Sequence, residues 1–298
     1  MHTLIFFGSD QYSAVALSTI LENRDTAKLE KVTIVTDQKS GGTEVEKLAT
    51  KHNLRVSYYP DFDHSLITTE TLGLCASFDH LIPKNIIAKF AGRLYNLHPS
   101  LLPQYRNVSP VQYALAMGDQ VTGITLFRIS PGIDDGQIIA QAEEQIQGDD
   151  TTLTLTPRLF KKGAQLFLSY EPCNPSNHYK VRNFAIPSAP LIFTHRLTRD
   201  SGYLEWSVLS KLLSGKPIKV DESKNELLVL RLTHHNQGTI LLDLLRALTP
   251  WPGVWSNVPT KKGELRISLE SVSPKIMLKL ASKPNAIALG DFNKYYLE

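Results

Sequence analysis

The chain opens on an unbroken apolar run, TLIFFG at 3–8, and then changes period, with YSAVALSTILENR at 12–24 carrying its apolar residues at helical spacing. The same exchange of periods recurs. KLEKVTIVTDQ (28–38) predicts a strand, TEVEKLATKHN (43–53) a helix and LRVSYYP (54–60) a short strand. TLGLCASFDHLIP (71–83) predicts a strand running into a loop, residues 83–90 a proline-led helix, and GRLYNLHPS (92–100) a fifth strand. SPVQYALAMGD (109–119) predicts a helix with Ser109 as N-cap and Pro110 at its first position. TGITLFRIS (122–130) and the segment after the PGIDDG turn predict strands, and residues 151–170 a closing helix. Strands alternating with helices imply an α/β fold with a doubly wound, mostly parallel sheet. Ligands of such sheets sit beyond the carboxyl ends of the strands, which places Gly8, Ser77, Asn96 and His98 on one rim.

Residues 171–190 hold Pro172, Pro175, Pro187 and Pro190 among Asn and Ser, the composition of a linker. Beyond it the pattern changes. An apolar helix over 239–255 is stopped by Pro250 and Pro252, and ELRISLESVS and KIMLKLAS alternate like strands of a small, β-rich, barrel-like domain. The expected division is therefore 1–190 and 191–298.

Charge sharpens that division. The chain of 298 residues carries a net +3, but residues 1–190 hold 17 Lys and Arg against 19 Asp and Glu, whereas 191–298 hold 15 against 10. A basic second half suits an anionic partner such as RNA, or is simply a solvated lysine surface. No run approaches 18 apolar residues, so no membrane contact is expected. Cys75 and Cys173 are too few for a disulfide framework, and Cys173/His178 and His234/His235 lack ligand spacing, so no metal is expected. With a strand starting at Thr3, no presequence is expected either.

The chemistry concentrates at NLHPSLLPQYRNVSP, 96–110. Three prolines forbid a helix or central strand, so the segment is a shaped loop. Asn96 and His98, two apart on an extended segment, leave the same face. Asp134 lies in a G-x-D-x-G turn between Gly132 and Gly136 that can reach the same rim. An amide and a protonated imidazole could stabilise an oxyanion, and a carboxylate could hold the imidazole protonated and help remove a proton. Equally, a lone histidine before proline can be a structural hydrogen bonder, and Asp134 can cap a turn. There is no G-x-G-x-x-G, no Walker motif and no G-x-S-x-G elbow.

Read together, FFGSDQYS (6–13), ASFDHLIPKNI (76–86), the 96–115 segment, TGITLFRISPGIDDGQIIAQ (122–141), GYLEWS (202–207) and RALTPWPGVW (246–255) resemble the 10-formyltetrahydrofolate-dependent formyltransferases. The tryptophan-bearing pieces resemble the branch that formylates methionyl initiator tRNA for translation initiation. The resemblance implies that Asn96, His98 and Asp134 are catalytic, that Ser100, Leu101, Leu102 and Pro103 bind the folate, and that the C-terminal domain binds tRNA. Arg196, Arg199, Lys261 and Lys262 are then candidate phosphate contacts. It further implies a monomer, in the mitochondrial matrix or alternatively a bacterial cytoplasm. Departures are a short loop, TDQKSGGTE at 36–44, and Asp79 and Asn107 where the family usually has glycine. Two other readings stay open: formylation of a small amine such as glycinamide ribonucleotide or an amino sugar nucleotide, and a non-catalytic RNA-binding relative.

Overall fold

The computed structural model describes residues 2–25, 27–38, 41–170, 191–234, 239–261 and 263–297. The linker expected over 171–190, Cys173, His178, His235, Lys39 and Lys262 lie outside the described residues. The chain divides into two compact units. Unit 1 is Met1–Asn107, Val121–Gln145 and Thr156–Phe193; unit 2 is Val108–Gln120, Ile146–Leu155 and Thr194–Glu298.

In chain order the first elements are β1 (His2–Phe7), α1 (Gln11–Glu22), β2 (Leu29–Thr36), α2 (Glu44–Lys51), β3 (Arg55–Tyr58), β4 (Thr71–Ala76), α3 (Lys84–Lys89), β5 (Leu94–His98), β6 (Arg106–Asn107), α4 (Pro110–Met117), β7 (Val121–Arg128), β8 (Ile138–Gln145), α5 (Thr152–Ser169) and β9 (Phe193–Thr194). Unit 1 is built on a seven-stranded sheet of order β3-β2-β1-β4-β5-β7-β8. The pairs from β3 to β5 are parallel. The two at the other edge, β5–β7 and β7–β8, are antiparallel. Every residue of β4 is buried, as are the last four of β1, which is why these strands read as continuous apolar runs. Strand order reverses between β1 and β4, and there the rim forms as expected. Gly8 is needed because a Cβ would lie 2.9 Å from the Ala76 carbonyl oxygen and 2.5 Å from Ser13 Cβ. Ser77 Oγ donates to Asp10 Oδ2 at 2.6 Å, while Asp10 Oδ1 caps α1 through the Tyr12 and Ser13 amides.

Unit 2 contains α6 (Trp206–Leu213), α7 (Glu226–His234), α8 (Ile240–Leu248), then β10 (Val254–Thr260), β11 (Gly263–Ser271), β12 (Met277–Leu280), β13 (Ala286–Ala288) and α9 (Leu289–Phe292). The four strands form an antiparallel sheet in chain order. Helix α8 stops at Leu248, two residues ahead of Pro250, as the sequence predicts. Helix α4 and the start of α5 group with unit 2. Polar ties join them to the rest of that unit. Tyr113 Oη donates to Glu226 at 2.8 Å and Thr152 Oγ1 to the Ala247 carbonyl at 2.7 Å. Arg231 and Asp243, both almost wholly buried, pair at 3.0 Å, and Arg246 joins Asp243 at 2.7 Å. Removing one member of such a set strands a buried charge.

Gly118 ends α4 with φ +70°, where a Cβ would sit 2.0 Å from Arg231 Nη1. Gly118→Ala therefore combines left-handed strain with displacement of a buried guanidinium. We expect a loss of about 2–4 kcal/mol, read as a lowered urea midpoint at unchanged slope. An unmoved midpoint would mean that Arg231 withdraws freely.

Candidate active site

Strand β5 sorts its side chains by alternation. Tyr95 packs 6.1 Å from the Phe167 ring of α5, and Leu97 lies against Gly163 of the same helix. Asn96 and His98 therefore leave the opposite face. His98 is 4% exposed. Its Nε2 lies 2.8 Å from the Tyr105 carbonyl oxygen and its Nδ1 3.4 Å from Asp134 Oδ2. Asp134, at φ +48° in the turn before β8, also accepts the Asn107 amide at 2.8 Å. Gly136 lets this turn close, since a Cβ there would be 1.8 Å from the Arg128 carbonyl oxygen. Asn96 is half-buried, and its amide makes no hydrogen bond to the described residues. The imidazole and the carboxylate thus meet, with a free amide on the same face of the strand.

The electrostatics differ from the expected stored imidazolium. Burial pushes the His98 pKa down, and the Asp134 carboxylate and the Tyr105 carbonyl only partly pull it back; Arg106 adds a further push down. Nε2 faces a carbonyl that can only accept, so the neutral ring carries its proton there. Nδ1 is then the basic nitrogen, and a proton arriving on it is at once paired with Asp134. The pair is built to take up a proton rather than to hold one in reserve.

The loop after His98 is held from below by a row of polar side chains. Cross-strand register sets His98 opposite Thr125, and Thr125 opposite Gln141. Thr125 Oγ1 donates to the Ser100 carbonyl at 2.7 Å and accepts from the Leu102 amide at 3.1 Å and from Gln141 Nε2 at 2.8 Å. Gln141 Nε2 also reaches the Leu102 carbonyl at 2.9 Å. Ser100 is fully buried and donates to the Gln104 carbonyl at 2.6 Å, and Leu102 is 4% exposed. Both main-chain polar groups of Leu102, one of the residues expected to bind the folate, are consumed inside the loop. Leu101, packed against Gly123, and Pro103 keep half-exposed surfaces.

Asn107 stands at φ +83°, which explains why glycine suits this position and why asparagine, tolerant of left-handed backbone, can replace it. Ser109 occupies the N-cap position, as the sequence suggests, but it has positive φ, +66°, and its side chain makes no capping bond. The loop geometry that delivers Asn107 to Asp134 takes precedence. Thr125, Gln141 and the main chain of Tyr105 and Asn107 escaped the sequence reading. The available signal was polar residues at inward positions of two strands. Among the described residues no group of three or more His, Cys, Asp or Glu is placed to hold a metal ion, and no helix is long and apolar enough to cross a membrane. Of the basic residues singled out in unit 2, Arg196, Arg199 and Lys261 are exposed.

Thr125→Val keeps the shape and strands a buried amide, a carbonyl and the Gln141 amide. The expected cost is about 2–4 kcal/mol in denaturant unfolding, and wild-type stability would show that the loop is held otherwise. His98 gives a pH test. Its folded pKa lies below its unfolded one, so the stability from burying the neutral ring is intact above about 6.5 and is lost as the pH falls toward the folded value. Between pH 7.5 and 5.5 the wild type should lose more unfolding free energy than His98→Gln. Equal losses would contradict the burial effect.

Comparison with known proteins places this geometry in context. The formyl transferase family model matches residues 5–170, more than half of the chain. A methionyl-tRNA formyltransferase of Corynebacterium diphtheriae is 26% identical over 312 residues, covering 97% of this chain and 89% of that protein. The human protein named methionyl-tRNA formyltransferase, mitochondrial, is 31% identical over 172 residues, 56% of this chain and 43% of that protein. Across such relatives the match spans from 42% to 89% of their own length. Among solved structures, a sugar 3N-formyl transferase crystallised with dTDP and 5-N-formyl-THF superposes over 97% of both chains with a TM-score of 0.59 at 18% identity, a likeness of fold. With more than half its length matched by the family model, the chain belongs to the formyl transferase family.

Proposed function

We propose that this protein transfers a formyl group from 10-formyltetrahydrofolate to the α-amine of methionyl initiator tRNA. The observation that carries the reading is the meeting of His98 Nδ1 and Asp134 Oδ2 at 3.4 Å beside the free Asn96 amide, in a chain of this family. The tRNA as acceptor is supported by the name of the relative matched over 97% of the chain, and by the net +5 of residues 191–298. Small-amine acceptors give the basic residues of 191–298 no task.

The donor, when bound, supplies a formyl carbonyl on nitrogen. The residues present fit a flat apolar donor, since Leu101 and Pro103 keep half-exposed surface while Ser100 and Leu102 hold the loop rigid. Asn96 supplies an N–H to the carbonyl oxygen as negative charge develops on it. Such a donor is worth about 3–4 kcal/mol. His98 and Asp134 take up the proton that the attacking amine must lose: Nδ1 is the acceptor, and Asp134 neutralises the imidazolium so formed. The same proton then serves the departing nitrogen, so the pair ends the cycle as it began. The relatives' names point to bacteria and, for the human one, the mitochondrion, and we keep both compartments for this chain, with the protein as a monomer.

Transfer from labelled 10-formyltetrahydrofolate, assayed with and without methionyl-tRNA, tests the reading. His98→Ala and Asp134→Asn should each lower kcat by at least about 100-fold, and Asn96→Ala by about 100- to 1,000-fold, with the fold retained by circular dichroism. Near-normal turnover in any of the three removes that residue from the mechanism. Formyl release independent of methionyl-tRNA would overturn the acceptor.

A further inference from the structure

Strand β10 turns Val254, Ser256 and Val258 inward and leaves Trp255 and Asn257 on the outer face of the unit 2 sheet. Arg266 of β11 pairs with Asn257 and so stands diagonal to Trp255 on that same face. Its guanidinium lies 3.8 Å from the centre of the indole ring. A second guanidinium, that of Arg199, lies 6.0 Å from the same ring. The segment bearing Arg199 is pinned there by main-chain contacts: Trp255 Nε1 donates to the Arg199 carbonyl at 3.0 Å, and the Leu204 amide donates to the Trp255 carbonyl at 2.9 Å. Tyr203 adds a second ring 4.7 Å from the indole.

Neither guanidinium has a carboxylate partner among the described residues. Two like charges held at one ring repel, and the pKa of Arg266 is pushed down by desolvation and by the nearby Arg199. Indole stacking offsets part of this, but not the mutual repulsion. An anion between the two would relieve it, and each planar fork suits the oxygens of a phosphate.

We propose that Arg199 and Arg266, mounted on Trp255, form a phosphate-binding site that takes a backbone phosphate of the RNA acceptor. The inference rests on the reading of tRNA as the partner and adds the residues that hold it. RNA is favoured over an acidic protein because the arginines come with flat aromatic surface: beyond Tyr203 and Trp255, Trp251 stands 57% exposed four residues earlier on the chain. Guanidinium and ring faces together are what a nucleotide chain uses.

The test compares wild type with Arg199→Gln, Arg266→Gln and Arg266→Lys, using initiator methionyl-tRNA across a salt series, with uridine diphosphate as competitor. Each Gln variant should weaken tRNA binding about 5- to 20-fold and reduce the slope of log Kd against log salt by about one. Arg266→Lys should keep the slope and lose part of the affinity, because it retains charge without the flat fork. Arg199→Gln guards against a folding artefact, since that side chain is exposed. Unchanged affinity and slope in the Arg199 and Arg266 Gln variants, in a wild type that binds and formylates methionyl-tRNA, overturns this site alone. Competition by uridine diphosphate at concentrations below those of tRNA saturation would make it a nucleotide site and overturn the RNA assignment. A wild type that neither binds nor formylates methionyl-tRNA overturns the functional reading itself.

Discussion

One hydroxyl holds the loop after His98 in place. Thr125 Oγ1 sits between β5 and β8 and engages both ends of the turn that follows His98, donating to Ser100 and accepting from Leu102. An O–H in this position has one proton and two lone pairs, and all three are used once Gln141 is counted. The loop is therefore not free to relax when its prolines and left-handed residues strain it. The geometry of the His98–Asp134 pair follows from that fixity. The Tyr105 carbonyl meets His98, and the Asn107 amide meets Asp134, only because the intervening chain is tied down at Ser100 and Leu102.

Those two main-chain contacts divide the labour of the His98–Asp134 pair. The Tyr105 carbonyl fixes the tautomer, and the Asn107 amide keeps the carboxylate aimed while making it a weaker partner for the imidazole. Burial meanwhile disfavours a charged ring. A histidine so placed is a poor reservoir of protons and a good temporary acceptor, because its conjugate acid forms only next to its counter-charge. This suits an amine nucleophile, which must shed a proton as it attacks and whose leaving counterpart must gain one.

The parts legible in the sequence were those written in periodicity or in punctuation. Strands β1 and β4 appear as apolar runs because burial on both faces removes any need for alternation. The face shared by Asn96 and His98 follows from a two-residue spacing, and the turn at Asp134 from its glycines. What escaped was long-range and carried by ordinary residues. Thr125 and Gln141 look like any strand residues until register puts them beside His98, and Tyr105 acts through a carbonyl that every residue owns. The Ser109 side chain makes no capping bond for a related reason. Local capping preference, worth about 1 kcal/mol, yields when the loop requires a left-handed residue at that point. The placement of α4 in unit 2 was equally invisible, since it depends on partners more than a hundred residues away, such as Glu226 for Tyr113.

Unit 2 uses arginine in two ways, and the contrast separates architecture from binding. Arg231 and Arg246 converge on Asp243, which is 2% exposed, with Thr239 completing its shell, and Gly118 is kept small to let Arg231 in. Such a cluster costs desolvation, and the shared carboxylate of Asp243 offsets part of that cost. Arg199 and Arg266 are gathered with comparable care, by main-chain pinning and by the diagonal of a β-ladder, yet they receive a ring instead of a carboxylate. One pair of arginines is given a buried carboxylate, while the other has none among the described residues and leaves room for a counter-charge from outside. The aromatic setting makes a flexible chain of nucleotides, rather than a simple salt ion, the ligand that would use every part of it.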